Sequence, residues 1–183
     1  MMGRPGSGKG TQARLLAKTM GAEIYSSGNR LREMAKGQGF VAHKVKEVID
    51  SGGLLPAWFS SHLFVDLLLG REPEDTVVFE GACRRLEEAQ AFAQTAQWLE
   101  RPYKAVFLDI SDSEVEKRLS LRRGIEGRKD DASDTVPHRI AEYEQNTLPA
   151  VEFFRSEGVL LHVDGGLPAE DVHREIVRAL ELA

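Results

Sequence analysis

Ten residues at the front of the chain, Gly3-Arg4-Pro5-Gly6-Ser7-Gly8-Lys9-Gly10-Thr11-Gln12, constrain the fold more than any other stretch. Small residues let consecutive backbone N–H groups turn inward, the lysine adds a mobile positive charge, and an amphipathic run from Ala13 to Met20 supplies a helix start behind them. The general pattern G-x-x-x-x-G-K-[ST] is met from Gly3 to Lys9; Gly10 then takes the hydroxyl position and Thr11 brings the hydroxyl one place later, so the narrower pattern G-x-P-G-x-G-K-G-T-Q is complete. A plain loop has no use for a lysine set between glycines. Such a turn joins a buried parallel strand to a helix, which predicts an α/β protein. Only Met1 and Met2 precede the turn, where a strand of about five apolar residues belongs. The first strand is therefore expected to be largely missing, through a trimmed or mis-set start, with little or no strand before Gly6.

With 183 residues the chain suits one domain with a proper core. The net charge of −5 argues against a general nucleic-acid or anionic-membrane surface. A single cysteine, Cys83, excludes an internal disulfide and a cysteine-rich zinc site; it fits a reducing, cytoplasmic setting and reads as a small packing residue. The start carries no apolar export segment, and the greasy stretch from Leu54 to Leu69 is interrupted by His62 and Asp66, so no membrane span is expected.

Strand and helix patterns alternate along the rest. Gly21 ends the first helix, and Glu23-Ile24-Tyr25 is short and extended. Helices follow from near Asn29, from Phe40 to Ile49 and, with Pro56 in its first turn, up to Leu69. Thr76 to Phe79 reads as a buried strand that delivers Glu80-Gly81-Ala82-Cys83-Arg84 to its C-terminal edge, where a parallel sheet binds ligands. A helix from Arg85 to Leu99, a strand from Lys104 to Ile110, and a helix opened by the Ser111/Glu114 capping box come next, the last broken at Gly124 to Gly127. A helical stretch from Ser133 to about Glu157 should be kinked or interrupted at Pro149. A strand at Val159 to Val163 and a helix at Pro168 to Leu182 close the chain. The alternation predicts one doubly wound parallel sheet with helices on both faces.

Five arginines, Arg118, Arg122, Arg123, Arg128 and Arg139, crowd a short segment of this acidic protein. Arg118 and Arg122 share a helix face. Taken singly, each could belong to a solvated face balanced by Glu114, Glu116, Asp130 and Asp131. As a group they suit phosphoryl transfer, in which planar guanidinium forks hold and neutralise equatorial oxygens.

The glycine-rich turn, the segment Ser27-Gly28-Asn29-Arg30-Leu31-Arg32, the turn from Glu80 to Arg84, and Arg128-Lys129-Asp130-Asp131 with Thr135-Val136, Arg139, Tyr143, Thr147 and Pro149 together resemble the adenylate kinase family of nucleoside monophosphate kinases, over nearly the whole chain. The resemblance implies transfer of the ATP γ-phosphoryl group, with Mg²⁺, to a nucleoside monophosphate, typically AMP. It implies that Gly6, Ser7, Gly8, Lys9, Gly10 and Thr11 wrap the ATP phosphates, with Lys9 bridging the transferring group. Arg118 would lie against the ATP base and Arg122 would touch its phosphates. Arg84 and Arg139 would hold the acceptor phosphate, Arg128 would clamp the transferring group, and Arg32 would reach in from a helical subdomain at about 26–56. Ser27, Gly53, Leu54, Leu55, Gly81 and Glu88 would complete the monophosphate pocket. Asp130 and Asp131 would orient arginines of a short lid at about 122–131, which has no room for a zinc-bearing domain. Thr11 and Glu80 would stand near a metal carried by nucleotide and water. A cytoplasmic monomer is implied.

The match departs at four places: Asn29 and Glu80 stand where the family usually has Asp, Ala82-Cys83 where it has a pair such as Phe-Pro, and Glu88 where it has Gln. Glu80 keeps its charge near the metal, whereas Asn29 removes one. An ionised carboxylate at 88 can only accept hydrogen bonds and would suit guanine better than adenine; if Glu88 instead lies on the exposed side of its helix, it has no such role. A kinase for GMP, UMP or CMP, and a nucleotide-binding module with weak or no catalysis, therefore stand beside the AMP reading.

Overall fold

Strand β4 (Ala105–Asp109) is almost entirely buried, and its side chains alternate between two separate cores. Ala105 and Phe107 face one way, and Val106 and Leu108 the other, as the two-residue period of a strand requires. The computed structural model describes residues 1–126 and 135–182. Parallel pairing joins β1 (Met2–Gly3), β4 and β5 (Leu160–Asp164) in one ladder, and β2 (Glu23–Ser26) and β3 (Val77–Glu80) in another. The Met1 ammonium donates to the Phe79 carbonyl at 2.7 Å, which stitches the ladders together and sets β1 between β3 and β4. At two residues, β1 matches the expectation of little strand before Gly6.

Helices cover both faces. On one, α4 (Ala57–Leu69), α5 (Leu86–Trp98) and α8 (Leu148–Ser156) supply Phe64, Leu68, Ala89, Phe92, Val151 and Phe154. Ring contacts run through that core from Tyr25 to Phe79, Phe92, Tyr103 and Phe154, with centroids 5.2 to 6.0 Å apart. On the other face α1 (Lys9–Met20) and α9 (Ala169–Ala179) bury Ala13, Leu16, Ala17, Val172 and Ile176. Leu108 and Ile176 are wholly buried there, and truncating either to Ala would cost about 2–5 kcal/mol. Helices α2 (Ser27–Ala35) and α3 (Phe40–Asp50) pack on each other beside this sandwich.

Several boundaries differ from the sequence reading. Helix α2 begins at Ser27, because the Ser26 hydroxyl caps it by accepting from Asn29 N–H. Pro56 caps α4 from outside its first turn. Helix α6 (Asp112–Glu126) runs through Gly124 instead of breaking there, since one glycine weakens a helix without ending it. Ser111 accepts from Glu114 N–H as the capping box requires, but the Glu114 carboxylate turns to Arg118. The stretch beyond Thr135 resolves into α7 (Val136–Glu142), a π-helical turn (Tyr143–Thr147) and α8. Pro149 has no N–H, and the Leu148 N–H reaches back five residues to Tyr143. Arg128, Lys129, Asp130, Asp131 and the expected helix start at Ser133 lie outside the described residues.

Candidate active site

The cradle sits between β1 and α1 with Gly3, Gly6 and Gly8 at φ +139°, +80° and +91°. At Gly3 the need is absolute, because a Cβ would stand 2.4 Å from the Leu108 carbonyl oxygen. Ser7 is buried and its N–H bonds to Arg4 O. Lys9 opens α1 and folds back, its Nζ donating to Gly3 O at 2.9 Å, Arg4 O at 2.7 Å and Ser7 Oγ at 3.3 Å. Outside the loop, Arg4 pairs with Asp112 and lies over the Tyr143 ring, and Gln12 donates to Ala169 O at 2.8 Å. The cradle is thus tied to α6, to the π turn and to α9.

An open cleft of about 1240 Å³ runs from the cradle along the C-terminal edge of the strands. Among its walls are Gly6 to Thr11, Ser27, Arg32, Gly53, Leu54, Leu55, Gly81, Glu80, Arg84, Glu88, Arg118, Arg122 and Arg139. Apart from Arg128, every residue singled out by sequence for phosphate or monophosphate binding lines this one space. Arg84 comes from the β3–α5 turn, Arg122 from α6 and Arg139 from α7, and all three act electrostatically on Lys9. The Lys9 pKa is lowered to about 7, chiefly by burial, with these arginines adding to the shift and Glu80 opposing it.

Two carboxylates mark the floor. Burial raises the Glu80 pKa, but the Ser26 hydroxyl, donating at 2.6 Å, and the charges of Lys9 and Arg84 outweigh it, so Glu80 stays below the usual range. Glu88 is only 2 % exposed, which rules out the exposed-face reading of that residue. It accepts from Arg84 N–H at 2.8 Å and from the Ser60 hydroxyl, yet burial dominates and pushes its pKa up.

The arginines are individually seated. Arg84 Nε donates to Gly81 O at 2.9 Å. Arg118 is spread along the β5–α9 turn, bonding Glu114 at 2.7 Å and the Gly165 carbonyl at 2.9 Å. Arg32 donates to Asn29 Oδ1 at 2.6 Å, so Asn29 positions an arginine at the entrance. Cys83 is buried at φ +57°, and burial raises its thiol pKa, which suits a packing residue. Sequence reasoning missed the parts played by Ser26 and Ser60, and the contact of Gly52 with the Arg139 side chain; ordinary serines and a loop glycine carry no pattern of their own. Among the described residues, no cluster of three or more His, Cys, Asp and Glu could hold a metal, and no helix is long and apolar enough to cross a membrane.

The adenylate kinase family model matches residues 1–159. An adenylate kinase of Leptospira biflexa is 30% identical over 180 residues, spanning 98% of this chain and 97% of its own. That of Thermus thermophilus is 32% identical over 98% of this chain and 94% of its own, and that of a Synechococcus strain 33% identical over the same shares. The cradle, the converging arginines and this end-to-end similarity place the chain in the adenylate kinase family.

Proposed function

We infer that the chain transfers the γ-phosphoryl group of ATP reversibly to AMP, giving two ADP. The observation that carries this is that Arg84, Arg122 and Arg139, from three separate elements, line the same cleft as Lys9 and its glycine-rich cradle. Phosphoryl transfer leaves little covalent work for a protein; positioning and charge neutralisation dominate. Gly6 to Thr11 present backbone N–H groups and a helix start to the ATP phosphates. Lys9 exchanges its carbonyl and hydroxyl partners for phosphoryl oxygens and follows the group as it moves. Arg122 joins it from the ATP side, and Arg84 and Arg139 grip the acceptor phosphate. Arg118 offers its flat guanidinium to the ATP base. Arg32, Ser27, Gly53, Leu54, Leu55, Gly81 and Glu88 enclose the monophosphate, so α2, α3 and their flanks at about 26–56 form the acceptor subdomain. This reading gives Arg128, which lies outside the described residues, and the lid expected at about 122–131 the task of keeping water from the transferring group.

Mg²⁺ fits a site of this composition as a passenger of the nucleotide. Glu80 is held ionised beside Lys9, and the Thr11 hydroxyl stands at the end of the cradle. These two would face the ion or its waters, whose charge offsets that of the β- and γ-phosphates. The enzyme is read as a monomer that works in the cytoplasm.

A coupled assay of ADP formation with AMP, GMP, UMP and CMP tests the reading. AMP is expected to be preferred. The buried Glu88 carboxylate makes GMP the informative competitor, and equal use of all four acceptors would refute an AMP kinase. Binding of ATP with no turnover on any acceptor would leave a nucleotide-binding module.

A further inference from the structure

We propose that the π-helical turn Tyr143–Thr147 is a positioning element that presents Arg84 and Arg139 to the acceptor as one unit. The proposal rests on the reading of those arginines as phosphate ligands. Thr147, 7% exposed, donates its hydroxyl to the Arg84 carbonyl at 3.1 Å. The Arg84 N–H is bound by Glu88, so the backbone of this one residue is gripped on both sides. A second chain runs alongside: Arg85 Nη1 donates to Asn146 Oδ1 at 2.8 Å, and Asn146 Nδ2 to Glu142 Oε2 at 3.2 Å. Glu142 lies in α7, the helix that carries Arg139. Thr147, Glu142, Arg84 and Arg139 all border a small cavity beside the main cleft.

Helical geometry explains why the turn is π. Arg139 and Thr147 are eight positions apart, which in an unbroken α-helix sets them about 80° apart around the axis. The π turn absorbs one residue, leaving an effective spacing of seven and an offset of about 20°. Arg139 and Thr147 then share a face, and that face meets the β3–α5 turn.

Steady-state kinetics of Thr147→Val and Thr147→Ser, with each substrate varied separately, test this. Thr147→Val keeps the shape and removes the donor, and it is expected to raise the AMP KM about 3- to 10-fold with the ATP KM unchanged. Thr147→Ser should restore the wild-type value. In an Arg84→Ala background, Thr147→Val should add little, because the residue acts through Arg84. Equal rises in both KM values, failure of serine to rescue, or additivity with Arg84→Ala would each overturn the proposal. If Arg84→Ala raises the AMP KM and Thr147→Val does not, the positioning role alone falls. If Arg84→Ala itself leaves the AMP KM unchanged, the reading of the site falls and takes the proposal with it.

Discussion

Gly52 lies directly against the side chain of Arg139: a Cβ at position 52 would stand 2.9 Å from Arg139 Cγ and 3.3 Å from its Cδ. The contact joins the loop after α3 to α7, and so links the helical pair to an arginine of the cleft. Gly52 also has φ +77°, which disfavours any side chain. Gly52→Ala should therefore cost about 1–2 kcal/mol of stability and push Arg139 aside. Kinetics with AMP varied should show its KM rising severalfold while the ATP KM holds, with the lost stability read by thermal unfolding. An unchanged AMP KM would separate Arg139 from acceptor binding.

Lys9→Met removes the ammonium that folds back into the cradle while keeping an unbranched side chain one atom shorter. Turnover should fall by at least about 10²–10³-fold, the scale of losing a preorganised charge on a transferring group. The fold should survive, because Lys9 is held in a costly state. Its folded pKa of about 7 lies below the usual 10.5, so the unfolded chain binds this proton more tightly, and wild-type stability rises with pH across that window. Denaturation at several pH values should show the variant comparing best with wild type below about pH 7 and losing that advantage toward pH 10.5. Normal turnover in this variant would sink the whole assignment.

The cradle and the strand–helix alternation were legible because each rests on local chemistry: glycines around a lysine, and β-branched runs between amphipathic ones. Residue patterns alone showed the arginines of α6 and α7 only as a cluster, and that Arg84, Arg122 and Arg139 line one cleft with Lys9 is a product of topology. Glu88 was open to two readings because helix periodicity alone does not say which face of α5 meets the sheet; packing against Arg84 and Ser60 decides it. The π turn was hidden for a different reason. Pro149 announces a missing donor, but whether the helix kinks or absorbs a residue depends on what its side chains must reach, here the Arg84 carbonyl.

ATP binding should take up a proton at Lys9. With a free-enzyme pKa of about 7, phosphate oxygens beside the ammonium raise that value, so the complex holds a proton that the free enzyme has partly lost above pH 7. Affinity should then weaken about tenfold per pH unit above that point and be level below it with respect to this group. Calorimetry in buffers of different ionisation heat reads the uptake directly. Subtracting the same measurement on Lys9→Met removes the titration of ATP itself, and no difference between the two proteins would place the Lys9 pKa elsewhere.

Glu88→Gln bears on both stability and choice of acceptor. Burial raises the Glu88 pKa above its ordinary 4.5, so the folded chain binds this proton more tightly than the unfolded one. Its stability therefore declines as pH rises from 4.5 through the folded value, and the penalty is complete above it. An amide carries no such charge, and its oxygen can still accept from the Arg84 N–H. Thermal unfolding should show Glu88→Gln more stable than wild type at neutral pH, the gap closing as the pH falls toward 4.5. The amide also adds a donor that can meet adenine N1 while its oxygen accepts from N6, whereas guanine N1–H and N2–H₂ call for acceptors alone. The ratio of kcat/KM for AMP over GMP should rise by roughly tenfold, the scale of one hydrogen bond gained for adenine and one lost for guanine. A gain in stability with no change in that ratio would confine Glu88 to holding the Arg84 turn.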